Sequence, residues 1–121
     1  MKIRIKGNSI RFRLTKTEVA QLTKTGAIEE NTIIGNTTFK YAVIMDMNAS
    51  HSNLHAHFFN QKITLYLPKD LGTDWFESDR VGFEDYQKDL HLLLEKDFTC
   101  LENREEDQSD NYPNPKLIPK S

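Results

Sequence analysis

Three short polar turns, Gly7-Asn8, Gly35-Asn36 and Asn60-Gln61, divide the first half of this chain into hairpins. Gly and Asn tolerate the positive φ of a tight turn, and each pair lies between runs that carry alternating apolar and polar residues. Such turns also fix register. Counting outward from Gly7-Asn8 sets Lys6 against Ser9, Ile5 against Ile10, Arg4 against Arg11, Ile3 against Phe12 and Lys2 against Arg13. A period of two then collects Ile3, Ile5, Ile10 and Phe12 on one face and Lys2, Arg4, Lys6, Arg11 and Arg13 on the other. A slip of one residue would split both sets.

The same count around Asn60-Gln61 sets Phe58 against Ile63, His57 against Thr64, Ala56 against Leu65 and His55 against Tyr66. Around Gly35-Asn36, TTFKYAVI alternates clearly and AIEENTII less so. Thr15 with Glu18 three residues on is a capping box, Leu14 and Val19 fit a hydrophobic staple, and Gly26 suits a left-handed C-cap. Together they predict a helix over about 16–25 that offers Val19 and Leu22 to the core. Such a cap is worth about 1 kcal/mol. Pro68 stops the strand before it, and a short second helix or turn is expected over about 68–76, with Trp75 and Phe76 packed on the sheet. RVGFEDYQ and DLHLLLEKDF read as a last hairpin with Leu90, Leu92 and Leu94 on one face. Leu and Glu favour helix over residues 89–98, but the stretch is short and alternating and follows the β-like VGFEDY, so strand is preferred. The sum is an α+β domain, a mainly antiparallel sheet of hairpins with one clear helix. No long internal repeat is apparent beyond the hairpin rhythm.

At 121 residues, 37% hydrophobic and 28% charged, the chain is one polar, soluble-type domain. It has no apolar run near the roughly 20 residues of a membrane span and no signal-peptide core, so a cytoplasmic location is expected. A single cysteine excludes an internal disulfide and a multi-Cys zinc site. A pI near 6.1 weighs against general nucleic-acid binding. The charge is nonetheless uneven. Residues 1–24 hold seven cations and one acid, whereas residues 102–110 hold five acids and one cation. Residues 1–101 read as the domain and 102–121 as an acidic, Pro-containing segment that is solvated or docked on it. Tyr112 beside Pro113-Asn114-Pro115 favours some docking.

The blocks KIRIKGNSIRFRLTKTEV, IGNTTFKYAV, ITLYLP with a Trp a few residues on, and LLLEKDFTCLENREEDQSDNYPNP occur in the order seen in a family of small uncharacterised bacterial proteins, typical of Bacteroidota, which the chain resembles over nearly its whole length. Tyr112 stands where that pattern has Phe. The resemblance implies a common fold and makes residues 95–115 part of the pattern. It implies no activity, cofactor or catalytic residue.

Four stretches are candidates to carry chemistry. The basic face, Lys2, Arg4, Lys6, Arg11 and Arg13, is a wet face, a seat for the chain's own acids (102–110, or Glu29 and Glu30), or a site for a phosphorylated small molecule. Arg4 opposite Arg11 is a like-charge pair that costs roughly 0.2–1 kcal/mol uncompensated. No aromatic lies on that face for bases to stack on, so nucleic acid is not expected. Triphosphate-processing barrels also alternate Lys and Arg along a sheet, but this chain lacks their early Glu-x-Glu-x-Lys stretch. His55-x-His57 points two imidazoles to one side of a strand, a pattern seen in metal pairs that needs a third ligand. His51 is near, and His91 lies on another strand. Cys100 shares a face with Phe98 and reads as core, and the acidic run lacks the spacing of a calcium loop. No phosphate-cradling loop or nucleophile elbow is present. The expectation is a non-enzymatic module without a cofactor that binds a protein partner or itself, since exposed sheet edges favour pairing into a homodimer. The alternatives are a phosphorylated ligand at the basic hairpin and a metal at His55 and His57.

Overall fold

The computed structural model describes residues 1–97. Each turn makes its hairpin. β1 (Lys2–Lys6) and β2 (Ser9–Leu14) pair from Lys2↔Arg13 to Lys6↔Ser9. β3 (Ala27–Ile34) pairs with β4 (Thr37–Asp46), and β5 (His55–Phe59) with β6 (Lys62–Pro68) in the register His55↔Tyr66 to Phe59↔Lys62. β7 (Gly82–Gln87) pairs with β8 (Leu90–Lys96), so the leucine-rich stretch is strand. Asn60 and Gln61 take φ of 54° and 63°, the left-handed pair that a two-residue hairpin turn uses.

α1 (Lys16–Thr25) has both halves of its capping box. The Glu18 N–H donates to Thr15 Oγ1 at 3.3 Å, and the Thr15 N–H donates to Glu18 Oε1 at 2.8 Å. At the other end Gly26 sits at φ 89° and its N–H reaches the Leu22 carbonyl at 2.8 Å. Burial raises the Glu18 pKa, but the bond from the Met1 amine and those from Thr15 outweigh it, and the net shift is downward from 4.5. A depressed carboxylate stabilises the fold above its unfolded pKa, and that stability is lost as pH falls through the folded value. Glu18→Gln is therefore expected to melt lower than the parent at pH 7, with the gap closing as pH falls below 4.5. A gap that stays constant down to acid pH would mean that the ionised carboxylate is not the stabilising form.

The stretch 68–76 is a short helix running into turn, as expected. α2 (Lys69–Gly72) is a single turn; its N-cap Pro68 makes no side-chain hydrogen bond, and residues 73–77 continue as turn. Trp75 is buried as expected. Its indole N–H donates to the Arg80 carbonyl at 3.0 Å, and its ring meets Phe83 edge-on at 5.1 Å. Phe76 is 37% exposed and does not share that position.

The hairpins join in a way that local turn chemistry does not report. β2 and β8 are parallel neighbours, Ser9↔His91 to Leu14↔Lys96, and so are β4 and β6, Lys40↔Lys62 to Asp46↔Pro68. Two four-stranded sheets result, β1-β2-β8-β7 (sheet A) and β3-β4-β6-β5 (sheet B). Parallel central strands are commonly covered on both faces and read as continuous apolar runs. Leu92, Leu93 and Leu94 are accordingly all buried, as are Ile63, Thr64 and Leu65. The inner faces of both sheets, with Val19 and Leu22 of α1, form one hydrophobic cluster. Along one seam Gln87 ties β7 to β5, accepting the Ala56 N–H at 2.6 Å and donating to the Ala56 carbonyl at 3.1 Å, while Asp85 takes the Leu54 N–H at 3.1 Å. Along the other, the Met1 amine lies 3.4 Å from Glu30.

This topology is an internal two-fold. Advancing each strand by four converts one sheet order into the other, and both halves read hairpin, helix, hairpin. Residues correspond across it: Ile10, Phe12 and Leu14 with Ile63, Leu65 and Leu67, His91 with Lys40, Asp97 with Asp46, and Lys2 with His55. The His91 N–H bonds the Asn8 carbonyl as the Lys40 N–H bonds that of Gln61. The repeat is hard to see in sequence because, beyond the inward apolar positions and the Asp46–Asp97 match, the outward residues differ.

Candidate functional site

The five basic residues share the outer face of sheet A, and the parallel strand β8 places new neighbours beside them. Three rows cross the sheet: Lys6, Ser9, His91 and Tyr86; Arg4, Arg11, Leu93 and Glu84; Lys2, Arg13, Glu95 and Gly82. Glu95 Oε1 lies 3.5 Å from the Nε of both Arg11 and Arg13. Lys2 turns to Asp97, Nζ to Oδ2 at 3.0 Å. Among the described residues Arg4 and Lys6 have no acidic partner. Arg11 Nε is buried and, although Glu95 is 3.5 Å away, it makes no aligned hydrogen bond.

These unequal partnerships divide the face. Lys2 and Arg13, at the end nearer α1, are paired with acids. Arg4, Lys6, Ser9 and Arg11, at the hairpin end, line an open cavity of about 250 Å³. Two cations roughly 5 Å apart repel by about 0.8 kcal/mol in water and about 3 kcal/mol at an effective dielectric of 20. Glu95, on β8, offsets part of this for Arg11 on the adjacent β2, but Arg4 on β1 is one strand further away. Beyond the cavity His91 is held rigidly: Nε2 is 2.5 Å from Glu84 Oε2, Nδ1 is 3.4 Å from Ser9 Oγ, and the ring stacks on Tyr86 at 4.6 Å.

Glu29 and Glu30, one of the alternatives open in the sequence, do not partner the cations of the basic face. Both are on β3 in the other sheet. Glu29 pairs with Lys62 at 2.7 Å, which holds its carboxyl below the usual range, and Glu30 faces the Met1 amine. The acids that do reach the face, Glu95 and Asp97, become neighbours only through the β2–β8 pairing. The acidic run 102–110 and Cys100 lie outside the described residues.

His55 and His57 share the outer face of sheet B, as their spacing predicts, but they take different company. His55 stacks on Tyr66 at 4.7 Å and lies 4.0 Å from Asp46 Oδ2, whereas His57 stacks on Phe59 at 6.1 Å. Asp46 also meets His51, and its carboxyl is held below the usual range chiefly by the Asn48 N–H and next by His51. No helix among the described residues is long and apolar enough to cross a membrane.

Fold and face together define a small α+β domain with a strongly basic patch on one sheet. The chain belongs to a family of unknown function, DUF7009, whose pattern matches residues 1–116. No curated protein and no solved structure matches it.

Proposed function

We propose that this domain is a non-enzymatic interaction module that receives an acidic polypeptide segment on the hairpin end of sheet A. The observation that carries the reading is the cavity lined by Arg4, Lys6, Ser9 and Arg11, two of whose cations have no acid among the described residues. Its volume is below the roughly 300–1,000 Å³ of pockets that enclose drug-sized ligands, which suits one or two carboxylates laid on a sheet.

The chain's own run Glu102, Glu105, Glu106, Asp107 and Asp110 carries the complementary charge. The Asp97 N–H bonds the Leu14 carbonyl at 2.8 Å, so the described chain ends beside the last residue of β2. Arg11 is three residues back along that strand, about 10 Å at 3.3 Å per residue. Residues 98–101 span up to about 14 Å when extended. The acidic run can therefore meet the basic face of its own chain, or that of a second copy in a homodimer.

Truncation after Leu101 tests this. The shortened protein is expected to melt lower than the full chain at low salt, with the gap closing at high salt as exposed charges are screened. A peptide of residues 102–115 should restore the difference, and Arg4→Glu with Arg11→Glu should abolish its binding. Equal melting temperatures at low salt would overturn the reading. A second reading, a phosphorylated small molecule in the same cavity, rests on the Arg4–Arg11 pair. It predicts stabilisation by phosphate or pyrophosphate even in the truncated protein.

A further inference from the structure

The connector between the two halves gathers three metal donors. Asp46 ends β4 and His55 begins β5, and residues 47–54 between them fold back around Asn48. Asp46 Oδ1 accepts the Asn48 N–H at 3.0 Å. Asn48 Oδ1 accepts the Ser50 N–H at 3.0 Å and the Ser50 hydroxyl at 2.8 Å, and the His51 N–H donates to the Asn48 carbonyl at 3.0 Å. The turn brings His51 Nδ1 to 2.6 Å from Asp46 Oδ2, the same oxygen that His55 Nε2 approaches at 4.0 Å. All three donor atoms lie within 4.8 Å of one another.

We propose that Asp46, His51 and His55 bind one divalent transition-metal ion of the zinc class. Zinc ligands at 2.0–2.2 Å in tetrahedral array stand roughly 3.3 Å apart. The distances of 2.6 and 4.0 Å straddle that spacing, and His51, on an exposed connector, can move to meet it. The other donors are positioned already. The Asn48 N–H occupies Asp46 Oδ1 and turns Oδ2 to the two imidazoles, where an ion would replace the direct His51 contact, and Tyr66 stacked at 4.7 Å and 14° sets the plane of the His55 ring. Two imidazoles with one carboxylate select zinc or iron(II) over calcium or magnesium. An open cavity of about 320 Å³ borders His51 and His55 and leaves room for a water in a fourth position.

The internal two-fold supplies an independent comparison. The counterparts of Asp46 and His55 are Asp97 and Lys2, which make an ordinary ion pair at 3.0 Å. A carboxylate at this position is thus satisfied by one lysine in the other half. An imidazole is a poor substitute for lysine as a permanent cation but a strong nitrogen donor to a transition metal. Among the described residues, the Asp46 half alone combines that exchange with a second histidine from a folded-back turn.

The test titrates metal-stripped full-length protein with Zn²⁺, and separately with Co²⁺, whose visible spectrum reports coordination. One equivalent is expected to bind. His51→Ala, His55→Ala and Asp46→Asn should each weaken binding by more than the roughly 10–100-fold that losing an outer-shell partner costs. His57→Ala should leave it unchanged, since His57 shares the face but not the cluster. Metal-free melts show whether each variant folds, and His51→Ala decides the matter if Asp46→Asn does not. The absence of one-to-one binding at sub-millimolar Zn²⁺ would overturn the site. So would binding that survives His51→Ala with His55→Ala, or that His57→Ala weakens equally.

Discussion

Replacing Phe12 by alanine is expected to remove about 3–5 kcal/mol of folding stability, the range for truncating a fully enclosed aromatic. Phe12 has no exposed surface. It lies in β2 between Ile3 of β1 and Leu94 of β8, and it points into the cluster shared by both sheets. A cavity there withdraws support from both layers at once and cannot collapse without moving the parallel β2–β8 junction. For a domain near 100 residues the loss is about 12–40 °C in melting temperature, at roughly 4–8 °C per kcal/mol. Denaturant unfolding should show a lower midpoint with an unchanged slope. A loss below about 1 kcal/mol would contradict the central placement of β2.

Gly82→Ala is the second large effect, and its cause is different. Gly82 opens β7 opposite Glu95, and a β-carbon built on it would stand 2.1 Å from the Leu94 carbonyl oxygen and 2.8 Å from the Glu95 Cα. Both neighbours are backbone, so no side chain can rotate aside. Either β7 lifts from β8 or β8 shifts against β2. The cost should reach or exceed the roughly 1–3 kcal/mol of overpacking a core, measured by urea unfolding. Hydrogen exchange should quicken first in the β7 amides. A variant as stable as the parent would mean that β7 starts later than Gly82.

The turns explain why so much of this architecture can be read locally. A two-residue turn states its own register, so every pair from Lys2↔Arg13 to Lys6↔Ser9 and from His55↔Tyr66 to Phe58↔Ile63 follows from counting. The cap residues Thr15, Glu18 and Gly26 bound α1 for the same reason. What joins one hairpin to another is not local. Ser9 meets His91 because their inner faces share a core, and no residue near either announces it. Glu95 and Asp97 were therefore hidden as partners of the basic face, and Glu29 and Glu30, open as alternatives on charge alone, belong to the other sheet. The run Leu92-Leu93-Leu94 did carry a trace of the junction, since a strand buried on both faces loses its alternation. For the histidines, strand periodicity correctly placed His55 and His57 on one face. It could not show that Asp46 and a turn at Asn48 would supply His55 with different company.

The order of strands also sets an order of assembly. Sheet B is built from one uninterrupted stretch, β3 to β6, whereas sheet A joins the first hairpin to the last. On a chain growing from its N-terminus, all four strands of sheet B are made before β7 exists. β1 and β2 meanwhile hold an open strand edge, which is a template for pairing with other chains. The cations of β1 and β2 oppose such pairing through like-charge repulsion during that interval. Pairing with β8 then closes the open edge of β2.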